Sequence, residues 1–369
     1  MKSLYVHIPF CKQKCLYCDF NSYSGKEKLI ETYCEALKKE LQSYSFNEFQ
    51  TVYFGGGTPS IIPAEKIAEI MQLIKCDGEI TLELNPGTIT EEKLMIYRKA
   101  GINRLSIGLQ ATQDSIMKEI GRIHTLKDFE EAFKMARRAG FDNINVDLMF
   151  GLPKQTLKDV KESAEYLIKL QPEHISCYSL ILHEPIFQNL PDDETEREMY
   201  YLIQNLLKEA GYEQYEISNF SKASKESKHN LCYWNQEEYF GVGAGASSYL
   251  NQKRYINESK IETYIDKINQ NEVWYEVEEE QNFEIKIREY MILRLRLLEG
   301  VSKEKVYQKF EVDIFDYFKK EIEKLKGQEL IEIVEAFNKD SNNTNSKETW
   351  IRLTKKGLDF ANLVWEEFV

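Results

Sequence analysis

Cys11, Cys15 and Cys18 lie within eight residues, spaced C-x3-C-x2-C. Three thiolates on one loop, with no fourth beside them, define a narrow set of chemistries. A closed zinc site takes four ligands, whereas a cubane iron–sulfur cluster has four irons to satisfy. Three cysteines anchor three of those irons and leave the last to an exchangeable ligand, which points to redox chemistry at an open iron. The competing reading is a structural zinc ion whose remote fourth ligand is His7 or Cys34.

Other candidate residues fall where short apolar runs end. Gly55-Gly56-Gly57-Thr58-Pro59 gives a backbone that a ligand can approach closely, although a glycine triplet alone also suits a tight turn. Glu83, in Glu83-Leu84-Asn85-Pro86, can accept hydrogen bonds from ribose hydroxyls. Gln110 closes Gly108-Leu109-Gln110, Arg122 follows twelve residues later, and Asp147 sits in Asn145-Val-Asp-Leu-Met-Phe-Gly151. Arg122 also suits a clamp on a carboxylate. Farther on, His229-Asn230-Leu231-Cys232-Tyr233-Trp234 combines an imidazole, the commonest axial ligand of haem iron, with two flat aromatic faces. The polar run Ser221–Lys228 before it predicts an exposed His229 that contacts haem with Tyr233 and Trp234. Cys232 is a possible soft ligand there. In the alternative reading His229 caps a turn and both aromatics are core. His124, beside Arg122, is a second pocket candidate; His174 and His183 read as structural.

These residues need a scaffold. β-like runs at Leu4–Ile8, Thr51–Phe54, Ile80–Leu84, Arg104–Leu109, Asn143–Met149 and His174–Leu182 alternate with helical patterns near 26–45, 63–75, 90–100, 125–139, 156–170 and 193–210. Successive strand–helix units imply parallel strands joined by right-handed crossovers. Six of them predict an α/β fold, an incomplete (β/α)6 barrel over residues 1–220 with its chemistry at the carboxyl ends of the strands. Residues 221–277 read as a connecting segment, within which Gly241-Val-Gly-Ala-Gly-Ala-Ser247 is expected to line the pocket as close-packed backbone. Residues 278–369 read as a smaller winged-helix-like α+β domain. It has helices at 283–298, 302–310 and 313–326, a wing of Ile331–Val334 and Trp350–Leu353, and a last helix at 355–367. The polar tract 338–348 reads as a mobile loop.

The net charge of −13 argues against nucleic acid, which requires a basic footprint, and the mixed charge of the C-terminal segment favours a lid or docking role. No apolar stretch approaches the roughly 18 residues of a membrane span. No signal segment precedes Cys11, and the expected address is the cytoplasm. Seven cysteines include four scattered ones, Cys34, Cys76, Cys177 and Cys232, that form no disulfide framework.

The cysteine spacing, with Tyr5-Val-His-Ile-Pro-Phe-Cys11 before it and Cys18-Asp-Phe20 after it, resembles the radical S-adenosylmethionine (SAM) superfamily. That resemblance implies a [4Fe-4S] cluster whose open iron is chelated by SAM. Over nearly the whole chain the order of motifs is similar to the oxygen-independent coproporphyrinogen III oxidase family. On that likeness Tyr5, Tyr17, Gly56, Gly57, Thr58, Glu83, Gln110, Arg122 and Asp147 contact SAM, the last three corresponding to contacts with a second SAM. The family's small alanine falls near Ile181. Two departures, Phe20 in place of a fourth cysteine and only ten residues ahead of Cys11, resemble the HemW branch of haem chaperones, as does the H-N-x-x-Y-W pattern at His229. The implied function is to bind cluster, SAM and haem and pass haem to acceptors such as respiratory enzymes. The alternative is the oxidase itself, which decarboxylates porphyrinogen propionates.

Overall fold

The structure is a computed structural model that describes residues 3–44, 48–182, 184–337 and 347–369. His183 and most of the polar tract 338–348 lie outside the described residues. The chain divides into two units. The first comprises 1–213, 218–232 and 238–280; the second comprises 214–217, 233–237 and 281–369.

All six expected strand–helix pairs are present in the first unit. The strands are β1 (Ser3–Ile8), β2 (Phe49–Gly56), β3 (Cys76–Leu84), β4 (Arg104–Gln110), β5 (Ile144–Phe150) and β6 (His174–Ser179). They pair in that order, all parallel. The helices are α1 (Ile30–Ser43), α2 (Ala64–Met71), α3 (Glu91–Lys99), α4 (Leu126–Arg138), α5 (Leu157–Leu170) and α6 (Asp193–Glu209). Capping boxes start two of them: Thr125 with Asp128 opens α4, and Thr156 with Asp159 opens α5.

Each strand carries two buried faces of different character. On β4, Leu105, Ile107 and Leu109 join the apolar core, while Arg104, Ser106, Gly108 and Gln110 line a cavity on the other side. The register keeps such inward residues together: Thr81 lies opposite Arg104, Glu83 opposite Ser106, and Gly108 opposite Asp147. A period of two therefore lays an apolar layer under the helices and a polar layer inside the barrel.

The segment 221–277 does more than connect. Tyr239–Val242 pairs in parallel with β1, and Ser247–Leu250, Lys253–Asn257 and Tyr275–Glu280 extend the same sheet antiparallel. At the other edge Asn219–Ser221 pairs antiparallel with β6. The glycine-rich run 241–247 is close-packed but does not line the cavity. Its backbone turns around Glu40, a fully buried carboxyl that accepts hydrogen bonds from Gly243 N (2.8 Å), Asn257 Nδ2 (2.8 Å), Trp274 Nε1 (2.9 Å) and the Tyr264 hydroxyl. Burial pushes the Glu40 pKa upward despite these donors.

The second unit has its own core, built on Ile287, Met291, Leu295, Val306, Phe318 and Phe368. Its wing is a three-stranded sheet in which Val301–Ser302 and Ile331–Phe337 flank Lys347–Leu353. The expected final helix is two short ones, Lys355–Asp359 and Ala361–Glu366, separated at Phe360. Among the described residues no helix is long and apolar enough to cross a membrane.

Removing the Glu40 carboxyl leaves several buried donors without an acceptor, each of which costs about 1–3 kcal/mol. Glu40→Ala is therefore expected to lower the thermal midpoint of the cofactor-free protein, with an overall loss of about 3 kcal/mol. Calorimetry beside the wild type checks this.

Candidate functional site

A cavity of about 510 Å³ occupies the carboxyl ends of the parallel strands. Its wall includes Cys11, Cys15 and Cys18 together with Tyr17, Gly56, Gly57, Thr58, Glu83, Gln110, Arg122 and Asp147. Of the expected SAM contacts only Tyr5 is outside the wall. Its hydroxyl lies 3.0 Å from His7 Nδ1.

The cysteine loop is held on two sides. Phe10–Cys11 pairs with Tyr23–Ser24 at its base. On its other side, Leu16 N donates to Ile120 O (3.3 Å) and Gln13 Nε2 to Gly121 O (3.1 Å). The Cys11 Sγ is 3.6 Å from Thr58 Oγ1, and Arg122 Nη1 is 3.7 Å from Cys15 Sγ. Close approach requires glycine at 57, and at 108 it leaves room for the Arg122 guanidinium. A Cβ on Gly57 would sit 2.6 Å from Phe10 O and 3.0 Å from Cys11 Sγ; on Gly108 it would lie 2.5 Å from Arg122 Nη2. The second clearance lets the guanidinium lie against the strand, where Nη2 donates to Gly108 O at 3.0 Å.

The ligand set can be tested for a single zinc ion. Among the described residues no three His, Cys, Asp or Glu side chains form a group able to hold one metal ion. The proposed remote ligands are engaged elsewhere. His7 Nε2 is 2.8 Å from Asn21 O, and Cys34 is buried in the apolar core. Three thiols spread around one end of a cavity fit a larger polynuclear group, and the Arg122 guanidinium beside Cys15 suits its negative charge.

Below the thiols the wall is polar and charged. Tyr53 donates to Glu83 Oε1 at 2.8 Å, and burial raises the Glu83 pKa to about 7. Burial also raises that of Asp147, which accepts from Asn145 Nδ2 at 2.7 Å. Gln110 adopts a left-handed backbone (φ 77°) at the irregularity where the β4–β5 register slips. A non-glycine residue in that region is strained, and the bulge turns its side chain into the cavity.

The histidine motif lies where the polar run did not predict. His229 is 1% exposed, with Nδ1 2.8 Å from Thr51 Oγ1 and its ring stacked on Tyr53 at 5.2 Å. Its N–H and that of Lys228 donate to Glu79, which also faces Arg104. Burial, with Arg104 nearby, lowers the His229 pKa to about 3, so the imidazole is neutral. The expected exposed haem ligand is thus a buried floor residue in this structure, and it is the adjacent Asn230 that lines the cavity. The boundary between units falls after Cys232. Tyr233 and Trp234 belong to the second, where Trp234 stacks under Arg296 at 4.5 Å. His124 is buried and absent from the wall, and His174 is a barrel-interior residue 2.6 Å from Asn145 Oδ1. Sequence reading missed Arg104, Tyr53, Asn145 and Tyr178. Their signal was the step of two from Arg104 through Ser106 and Gly108 to Gln110.

Comparison with known proteins agrees with this geometry. The family model described as Radical SAM superfamily matches residues 5–167, and the HemN C-terminal domain model matches 284–336. The solved structure of coproporphyrinogen III oxidase (HemN) from Escherichia coli superposes with a TM-score of 0.85, covering 99% of this chain and 89% of that one at 22% identity. This is a radical SAM fold. Heme chaperone HemW of Bacillus subtilis (strain 168) is 38% identical over 100% of this chain and 99% of its own length. Its namesake in Lactococcus lactis subsp. lactis (strain IL1403) is 36% identical over 100% and 97%. The chain belongs to the HemW family of radical SAM proteins. That superfamily implies a [4Fe-4S] cluster and SAM, and the three thiols and polar cavity fit both.

Two outcomes are expected. The folded protein binds a proton at Glu83 up to about pH 7, whereas a free glutamate releases it near 4.5. Stability therefore falls as pH rises between those values and levels above the higher one. Glu83→Gln removes this dependence, so its melting temperature gains on wild type across that window. Separately, His229→Ala should destabilise the barrel floor by about 2 kcal/mol, as thermal melts beside the wild type would show.

Proposed function

We propose that this protein is a haem chaperone that carries a [4Fe-4S] cluster, SAM and haem, and delivers haem to acceptor proteins such as respiratory enzymes. The observation that carries the reading is the full-length 38% identity to a protein named Heme chaperone HemW. Phe20, where the oxidase family has a further cysteine, supports it.

Within this reading each cavity residue has a task. Cys11, Cys15 and Cys18 supply thiolates to three irons. A cluster held by these thiolates would supply an open iron for the amino acid end of SAM and reducing power toward its sulfonium. Gly56, Gly57 and Thr58 present backbone groups to the SAM amino group, and Glu83 accepts from its ribose. Gln110, Arg122 and Asp147 form the opposite wall, with Tyr17 between the cysteines closing the top. Tyr5 supports this set from below, through His7. The C-terminal unit serves acceptor docking.

The oxidase shares this fold, so a reaction must separate the two. Anaerobically reconstituted protein is expected to bind haem and restore activity to a haem-free acceptor. With coproporphyrinogen III, SAM and reductant it should yield no protoporphyrinogen. Conversion of coproporphyrinogen, or no haem transfer, would contradict the proposal. Replacing the three cysteines with alanine should remove the iron and abolish delivery.

A further inference from the structure

At the mouth of the cavity the wall changes character. Phe20 is 68% exposed and Ile181 70% exposed, yet both belong to the wall. Leu16, between two of the cysteines, is 61% exposed. Phe20 and Ile181 come from two separate segments and both face a cavity whose interior is polar, whereas Leu16 lies outside its wall. Isolated apolar residues on a surface need no explanation, but a cluster rimming a cavity marks a contact surface.

The charge beside this rim is specific. Lys14 Nζ donates to the Phe20 carbonyl at 3.0 Å, which holds an ammonium against the backbone of that residue. Lys12 is also exposed. The loop's carboxylate, Asp19, belongs to the cavity wall, whereas neither lysine does. One cation, Lys14, therefore stands beside Phe20 and outside the wall in a chain of net charge −13, and a second, Lys12, is two residues away in sequence. A ligand matching this pattern has a broad flat apolar face and carboxylates at its periphery.

Resting on the haem-chaperone reading, we infer that haem is received on the cavity mouth. Its ring lies against Phe20 and Ile181, and a propionate is directed to Lys14. The chaperone's cargo is thereby placed over the cluster and SAM chamber and away from the buried His229. Phe20 then has a positive role, since an aromatic face replaces a metal ligand where porphyrin must rest.

The test is a pair of anaerobic titrations of cluster-reconstituted protein, one with haem and one with metal-free protoporphyrin IX, which reports face contact without axial ligation. A Phe20→Ser/Ile181→Ser double variant is expected to weaken both by at least about tenfold, because two apolar side chains no longer cover the ring. Lys14→Glu should weaken them severalfold, less so at high salt. Cluster iron and SAM binding should stay at wild-type levels in both, and His229→Ala should bind porphyrin as wild type does. Wild-type affinity in the double variant would overturn the placement, as would a loss confined to His229→Ala. Absence of porphyrin binding by the wild type would instead remove the haem-chaperone reading itself.

Discussion

Everything in the first unit depends on strands that bury both faces while only one of them is apolar. Strands in parallel sheets usually read as continuous hydrophobic runs because helices cover them. Here the helix-facing half, such as Leu105, Ile107 and Leu109, supplies the core. The inward half is Tyr53, Glu83, Arg104, Ser106, Asn145, Asp147, Ser176 and Tyr178. Burying that much polarity is unfavourable unless each group finds partners. Tyr53 satisfies Glu83, Asn145 satisfies Asp147, and Glu79 receives the N–H groups of Lys228 and His229. Arg104 remains incompletely paired, with Nε finding no acceptor within hydrogen-bond distance among the described residues. That residual polarity is what a chamber built to receive a polar molecule retains.

The thiols use this scaffold economically. A loop on one side of the barrel mouth carries all three, and its contacts with Ile120 and Gly121 tie it to the segment leading into Arg122. Arg122 links the arrangement to the barrel, touching Cys15 with one nitrogen and the β4 backbone with another. A mutation that moved Gly108 or Arg122 would therefore disturb both the cluster loop and the chamber below.

Much of this was legible in the sequence because it follows strong periodic signals. The six strand–helix pairs showed apolar spacing and caps, and the cysteine spacing singled out a loop that the fold sets in the cavity wall. The seventh parallel strand, Tyr239–Val242, was missed because four residues around Gly241 give no alternation to read. The glycine run was expected to line the pocket, but its Gly243 N–H serves Glu40, a partner 203 positions away. His229 was misplaced for a related reason. A polar run predicts exposure locally, whereas burial here follows from tertiary partners on β2 and β3.

The central claim is that the three cysteines hold a cubane whose remaining iron is open to SAM at the top of this chamber. Electron paramagnetic resonance of the reduced, reconstituted protein with and without SAM tests it most directly. About four irons per chain and a shift of the g-values on adding SAM are the predicted result. A spectrum indifferent to SAM, or a protein that retains zinc in place of iron, would contradict it.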